Sequence, residues 1–227
     1  MKTVAIAIDG PAGAGKSTVA RALAAKLGYI YVDTGALYRA VGYAVTAMGG
    51  NWREEASVLS CLPKMEVSLR YVDGAQRVFV NDEDVSDRIR TPEMSMAASA
   101  VSALPPVREF LFHLQQDMAT KNNVVMDGRD IGTVVLPHAD VKIFLSASAE
   151  ARAERRRLEL LEKGQEVPFD EVLADMKKRD YDDSHRAIAP LRQAEDAVAV
   201  DTTTLTLQES IDYMLKLVQD TLEARGV

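Results

Sequence analysis

The chain begins with an apolar run that does not alternate, Val4-Ala5-Ile6-Ala7-Ile8, the pattern of a parallel strand covered on both faces. A glycine-rich loop follows. Val19, Leu23 and Leu27 then recur at helical spacing, and Gly28 stands where a helix C-cap belongs. Tyr29 to Val32 predicts a second short strand ending at Asp33-Thr34-Gly35, and Ala36 to Met48 a helix stopped by Gly49-Gly50. At Met65 the period changes. Met65, Val67, Leu69 and Tyr71 alternate, Asp73-Gly74 supplies a turn, and Val78 and Val80 alternate again, which predicts a hairpin. Thr91-Pro92 has the form of an N-cap followed by proline at the first helical position, and Pro105-Pro106 closes that helix and opens the next. Val107, Phe110, Leu111, Leu114 and Met118 make one stripe on it.

The strand-helix alternation then resumes. Val124 to Met126 and Val141 to Leu145 predict strands, and Ala149 to Glu162 a helix. A polar loop, Lys163 to Pro168, leads into a helix through "RDYDDSHR"; Val198 to Val200 suits a last strand. Thr206 and Glu209 have capping-box spacing ahead of Ile211, Met214, Leu215, Val218 and Leu222. The expected fold class is α/β: a doubly wound parallel sheet with helices on both faces, a small antiparallel insert and a short lid. The expected division of the 227 residues is a core of about 1–62 and 105–227, an insert of about 63–104 and a lid of about 152–168.

Charge and cysteine content narrow the class of protein. A net charge of −7 disfavours nucleic acid as the main partner, so any phosphate chemistry must rest on local clusters of arginine. Cys61 is the only cysteine, which excludes an internal disulfide and a thiolate metal cage and fits a reducing cytoplasm. No apolar run approaches membrane-spanning length, and nothing in the sequence demands more than a monomer. His113, His138 and His185 lack ligand spacing.

The chemistry begins at "GPAGAGKST": Gly10, Pro11, Ala12, Gly13, Ala14, Gly15, Lys16, Ser17 and Thr18. Gly10, Gly15, Lys16 and Ser17 satisfy G-x-x-x-x-G-K-[ST] between an expected strand and an expected helix, the context that confirms a phosphate loop. Its bare amides and helix N-terminus hold phosphate oxygens, Lys16 reaches the terminal phosphates of a nucleoside triphosphate, and Ser17 can ligate Mg²⁺. Asp127, just past an apolar strand, is a candidate for Mg²⁺ or its waters. An N-K-x-D stretch of the kind that reads guanine in switch GTPases is not found.

The arginines address the acceptor. A hydroxyl acceptor needs a base, whereas a phosphate acceptor is already an oxyanion and needs its charge neutralised, for which the donor fork of arginine is suited. Arg39 follows "DTGALYR", Arg129 lies in "DGRDIGT", and Arg179 and Arg186 bound "RDYDDSHR". Arg152, Arg155 and Arg156 run along the preceding helix as candidates for the lid, and Arg129 and Arg186 join Lys16 as candidate catalytic groups.

Together, "GPAGAGKST", "DTGALYRA", "AASAVSALPPVRE", "DGRDIGTVV", "VKIFL", "RDYDDSHR" and "APL" resemble bacterial cytidylate kinases from end to end. That resemblance implies a P-loop nucleoside monophosphate kinase that transfers phosphoryl from ATP, with Mg²⁺, to CMP or dCMP. Carried over by matching motif, Thr34, Arg39, Arg129 and Arg186 would surround the acceptor's phosphate. Ser99, Arg108 and Asp130 would read the cytosine edge, and Arg179 and Asp183 would sit at the sugar. Thr34 stands where many relatives have serine, and some relatives have arginine where this chain has Asp182 and Ser184. The alternatives left open are a kinase for UMP, dTMP or AMP, and a small-metabolite kinase in which Asp127 or Asp130 serves as base.

Overall fold

A computed structural model describes residues 3–72 and 75–226. The chain forms two compact units, one running to Tyr31 and resuming at Asn122, the other Val32–Lys121. The first carries β1 (Ala5–Asp9), α1 (Lys16–Leu27) and most of the sheet. β2 (Ile30–Asp33) runs into the second unit, which holds α2 (Thr34–Ala47), α3 (Glu55–Cys61), a 3-10 turn at Leu62–Lys64 and the strands β3 (Val67–Val72), β4 (Ala75–Val80) and β5 (Glu83–Asp84). It ends with α4 (Pro92–Ser102) and α5 (Pro105–Lys121). The first unit resumes with β6 (Val124–Gly128), a π-helical turn at Ile131–Val135, β7 (Val141–Ser146), α6 (Ala149–Glu162), α7 (Phe169–His185), β8 (Val198–Asp201) and α8 (Leu207–Arg225).

The five-stranded sheet has the order β2-β6-β1-β7-β8, so β1 lies at its centre. β1 runs parallel to both β6 and β7, with Asp9 opposite Gly128 on one side and Phe144 on the other. Central placement is why Ile6 and Ile8 are completely buried and why β1 lacks alternation. Val19, Leu23, Ile143, Leu145, Met214 and Val218 complete this core. The predicted ends hold: Gly28, at φ 69, donates its amide to the Ala24 carbonyl, and Thr206 with Glu209 closes a full capping box on α8.

In the second unit β3, β4 and β5 form a separate antiparallel sheet, with Val67 opposite Val80 and Leu69 opposite Val78. The expected turn at Asp73-Gly74 lies outside the described residues. Four elements among the described residues escaped the sequence patterns: α3, the 3-10 turn at Leu62–Lys64, the two-residue β5 and the π-helical turn, each too short to show a period. α2 crosses α4 closely because residue 42 is glycine; a Cβ there would stand 2.6 Å from the Ala97 Cβ. Leu37, Val41, Val58, Val101, Val107 and Leu111 fill this unit's core, and Cys61 is buried among them.

Candidate active site

The phosphate loop leaves β1 at Asp9 and becomes α1 at Lys16. Gly13 and Gly15 take left-handed φ values of 74° and 87°, which turn successive amides to one side. Gly10 is required for space: a Cβ would fall 1.9 Å from the Leu145 carbonyl oxygen of β7. Lys16 is buried, and its Nζ donates to the Pro11 carbonyl at 2.7 Å, so the lysine arches over its own loop. Burial, joined by the positive charge of Arg129, holds its pKa well below the ordinary lysine value despite Asp127 and Asp9 nearby. A polyphosphate brought to these amides acts in the opposite sense and favours the ammonium.

Ser17 donates its hydroxyl to Asp127 Oδ2 at 2.9 Å, and Tyr31 donates to Oδ1 at 2.8 Å. Serine hydroxyl and buried carboxylate thus form a pair of hard oxygen donors beside the loop, which fits a Mg²⁺ carried by a nucleotide. Among the described residues no group of three or more His, Cys, Asp or Glu side chains is arranged to hold a metal by itself.

Beyond β6, Arg129 donates Nε to Asp183 Oδ2 on α7 at 2.7 Å. Burial pushes the Asp183 carboxyl up, but the charge and hydrogen bond of Arg129, with Arg179 and Arg186, prevail and hold it below the usual value. Arg186 follows α7, donates Nε to the Ala189 carbonyl at 2.6 Å, and sets Nη2 3.6 Å from Asp130 Oδ1. Asp183 and Arg186 of "RDYDDSHR" therefore face the "DGRD" turn. Asp182 pairs instead with Lys178, and Ser184 donates to the Asp180 carbonyl.

The three arginines proposed for the lid separate. Arg152 is buried, donates to the carbonyls of Ala147 and of Ala12 in the phosphate loop, each at 2.9 Å, and grips both oxygens of Asp180. Arg155 donates to the Thr202 carbonyl at 2.6 Å, and Arg156 pairs with Glu159.

In the second unit, Thr34 is buried at the start of α2, and Asp33 caps that helix by accepting from the Ala36 amide at 2.9 Å. Asp33 also receives Arg39 Nη2 at 2.9 Å, while Arg39 Nε is buried without a hydrogen-bond partner. Arg108 reaches from α5 to the Ser102 carbonyl on α4 at 3.2 Å and lies over the Tyr38 ring; Ser99 sits on α4 one turn before Ser102. Sequence reasoning missed Asp9, Tyr31 and Asp180. Asp9 carried a signal in its position at the end of β1 beside the loop; Tyr31, inside β2, and Asp180, one acid among several in a charged helix, carried none.

A parallel sheet whose central strand passes directly into a lysine-closed glycine loop defines a P-loop nucleoside triphosphate-binding protein. Within that class the chain belongs to the cytidylate kinase family, whose model matches residues 6–220. The cytidylate kinase of Caldicellulosiruptor saccharolyticus is 51% identical over 217 residues, covering 96% of each chain. That of Carboxydothermus hydrogenoformans is 51% identical over 213 residues, covering 94% of this chain and 96% of its own. The solved shikimate kinase of Bacteroides thetaiotaomicron has a similar fold, with a TM-score of 0.50 at 17% identity over 97% of this chain and 98% of that one.

Proposed function

We propose that phosphoryl transfer in this chain proceeds by charge neutralisation and positioning, without a general base. As a member of the cytidylate kinase family the chain is an ATP-dependent kinase that phosphorylates CMP or dCMP, giving CDP or dCDP and ADP. An oxygen of the acceptor's phosphate attacks the terminal phosphorus of ATP, and the bond from that phosphorus to the bridging oxygen of ADP breaks. The attacking oxygen already carries charge, so no side chain has to remove a proton. Ser17 and Asp127 would hold a Mg²⁺ carried by ATP, which would supply further neutralisation.

Lys16 and the loop amides hold the donor. Arg129 and Arg186 are assigned to the acceptor's phosphate and the charge that develops in transfer, Arg179 and Asp183 to the sugar, and Asp130 to the cytosine edge. From the second unit Thr34 and Arg39 take phosphate, and Ser99 and Arg108 take the base. About 63–104 is assigned as the acceptor-binding insert and about 152–168 as a lid that excludes water, so that ATP is not hydrolysed. The single observation that supports this scheme is the buried Lys16 with the partly buried Arg129 and Arg179 near it: burial first, and then the repulsion of these arginines, depresses the lysine pKa, and a bound phosphate would relieve that repulsion. Purified protein with ATP and Mg²⁺ is expected to release ADP slowly alone and fast with CMP, and faster with CMP or dCMP than with UMP, dTMP or AMP. Equal rates with and without CMP would sink the transfer reading. Asp130→Asn is expected to weaken base selectivity; loss of transfer to every acceptor would make Asp130 a base instead.

A further inference from the structure

Asp9 is the last residue of β1, and Gly10 of the phosphate loop follows it directly. Its side chain bonds outside its own strand. The Ile131 amide donates to Oδ1 and the Gly132 amide to Oδ2, each at 2.7 Å, across 122 and 123 residues of sequence. These amides open the π-helical turn that comes straight after Arg129 and Asp130. Asp9 is 5% exposed and forms no ion pair among the described residues, so its charge rests on two amides in a dry setting, a costly arrangement. The site is close-fitting as well: a Cβ on Gly132 would stand 3.3 Å from Asp9 Oδ2 and 3.2 Å from the Lys142 Cδ. On its other side, Gly10 is pressed against the Leu145 carbonyl.

We propose that Asp9 is a positioning residue for phosphoryl transfer, its two-toothed carboxylate tying the start of the phosphate loop to the turn that carries Arg129 and Asp130. This rests on the roles assigned above to the loop and to Arg129. The donor's amides and the acceptor-side guanidinium sit on separate stretches of chain, and a displacement near 1 Å between them can cost about 100-fold in rate. Asp9 bridges the two within a single side chain. Burial above all, opposed by the two amides and Lys16 and assisted by Asp130, sets its pKa at about 6; Lys142, beside Gly132, is engaged by the Pro137 carbonyl and Asp196. On protonation one of its oxygens becomes a donor facing an N–H, and half of the tie is lost.

The test compares wild type with Asp9→Asn by steady-state kinetics in ATP and CMP from pH 5 to 8, with melting temperature measured in parallel. The variant is expected to lose about 10- to 100-fold in kcat while KM for ATP stays within about threefold, because the loop still binds its phosphates. Wild type is expected to lose kcat on the acid side of about pH 6, and that acid limb is expected to be absent from the variant. A variant with kcat within twofold of wild type, or one whose activity falls only in step with its folded fraction, overturns the proposal. Should Asp9→Asn fail to fold, Gly132→Ala decides: reduced kcat at an unchanged melting temperature supports the tie, and unchanged kcat overturns it. Wild type that fails to phosphorylate CMP refutes the functional reading before Asp9 is in question, so the two failures are distinct.

Discussion

The grip of Arg152 on Asp180 offers a quantitative test of how α6 and α7 are held to the phosphate loop. Arg152 is 4% exposed and Asp180 28%, and the guanidinium makes four hydrogen bonds: to Ala147 O and Ala12 O at 2.9 Å, and to the two Asp180 oxygens at 3.0 and 2.5 Å. Arg152→Met keeps the apolar stem but strands two carbonyls, at about 1 kcal/mol each, and a partly buried carboxylate. Truncating one side of a buried ion pair costs about 3–5 kcal/mol, and the expected loss falls in that range. Asp180→Asn removes the countercharge and one of the two side-chain acceptors, leaving the buried guanidinium with the Asn oxygen and the Ala147 and Ala12 carbonyls, at about 2–3 kcal/mol. Unit charges 4 Å apart attract by about 4 kcal/mol at an effective dielectric of 20, which the partial exposure of Asp180 reduces, so the coupling should be about 1–2 kcal/mol. Urea unfolding of wild type, both single variants and the double variant, followed by circular dichroism, measures all of these terms. The Ala12 carbonyl also loses its donor, so KM for ATP should rise a few-fold in Arg152→Met. A loss below about 1 kcal/mol with no coupling would refute the reasoning and leave the contact an incidental one.

Gly10→Ala should destabilise by about 2–4 kcal/mol, because its Cβ meets the backbone of β7, and calorimetry should find ATP binding lost with it. Gly42→Ala forces α2 and α4 apart at Ala97 for about 1–3 kcal/mol, read by urea midpoint; an unchanged midpoint would show that the helices slide freely. Thr206→Ala removes the capping box of α8 and should cost about 1 kcal/mol, a fall of about 2–4 °C in melting temperature with kcat unaltered. Asp9 gives a pH signature: its folded pKa of about 6 lies above 3.8, so the folded state binds the extra proton between those values. Its ionisation then weakens the fold by about 3 kcal/mol as pH rises through that window. Relative to Asp9→Asn, wild type should therefore be more stable at pH 4.5 than at pH 7, and a difference of opposite sign would disprove the raised pKa.

What could be read directly from the amino-acid order was whatever is carried by neighbours in sequence. β1, the glycine loop and α1 are contiguous, and Gly28, Thr91 and Thr206 end or begin helices through bonds that span three or four residues, so composition and period were enough. The β3–β4 hairpin was legible for the same reason, by alternation on either side of its turn. Other features depended on folding. Arg152, Arg155 and Arg156 share one helix and one charge, and only the packing of α6 on α7 and β8 sends the first into the phosphate loop, the second to the Thr202 carbonyl and the third to the surface. Nothing local to Asp9 foretells that its carboxylate takes two amides more than 120 residues away, because that pairing exists only once β6 lies beside β1 and sets Ile131 against the strand's end. Local bonding repeats within a turn and leaves a period in the sequence, whereas contacts between distant segments are set by which surfaces the packed sheet brings together, and they leave none.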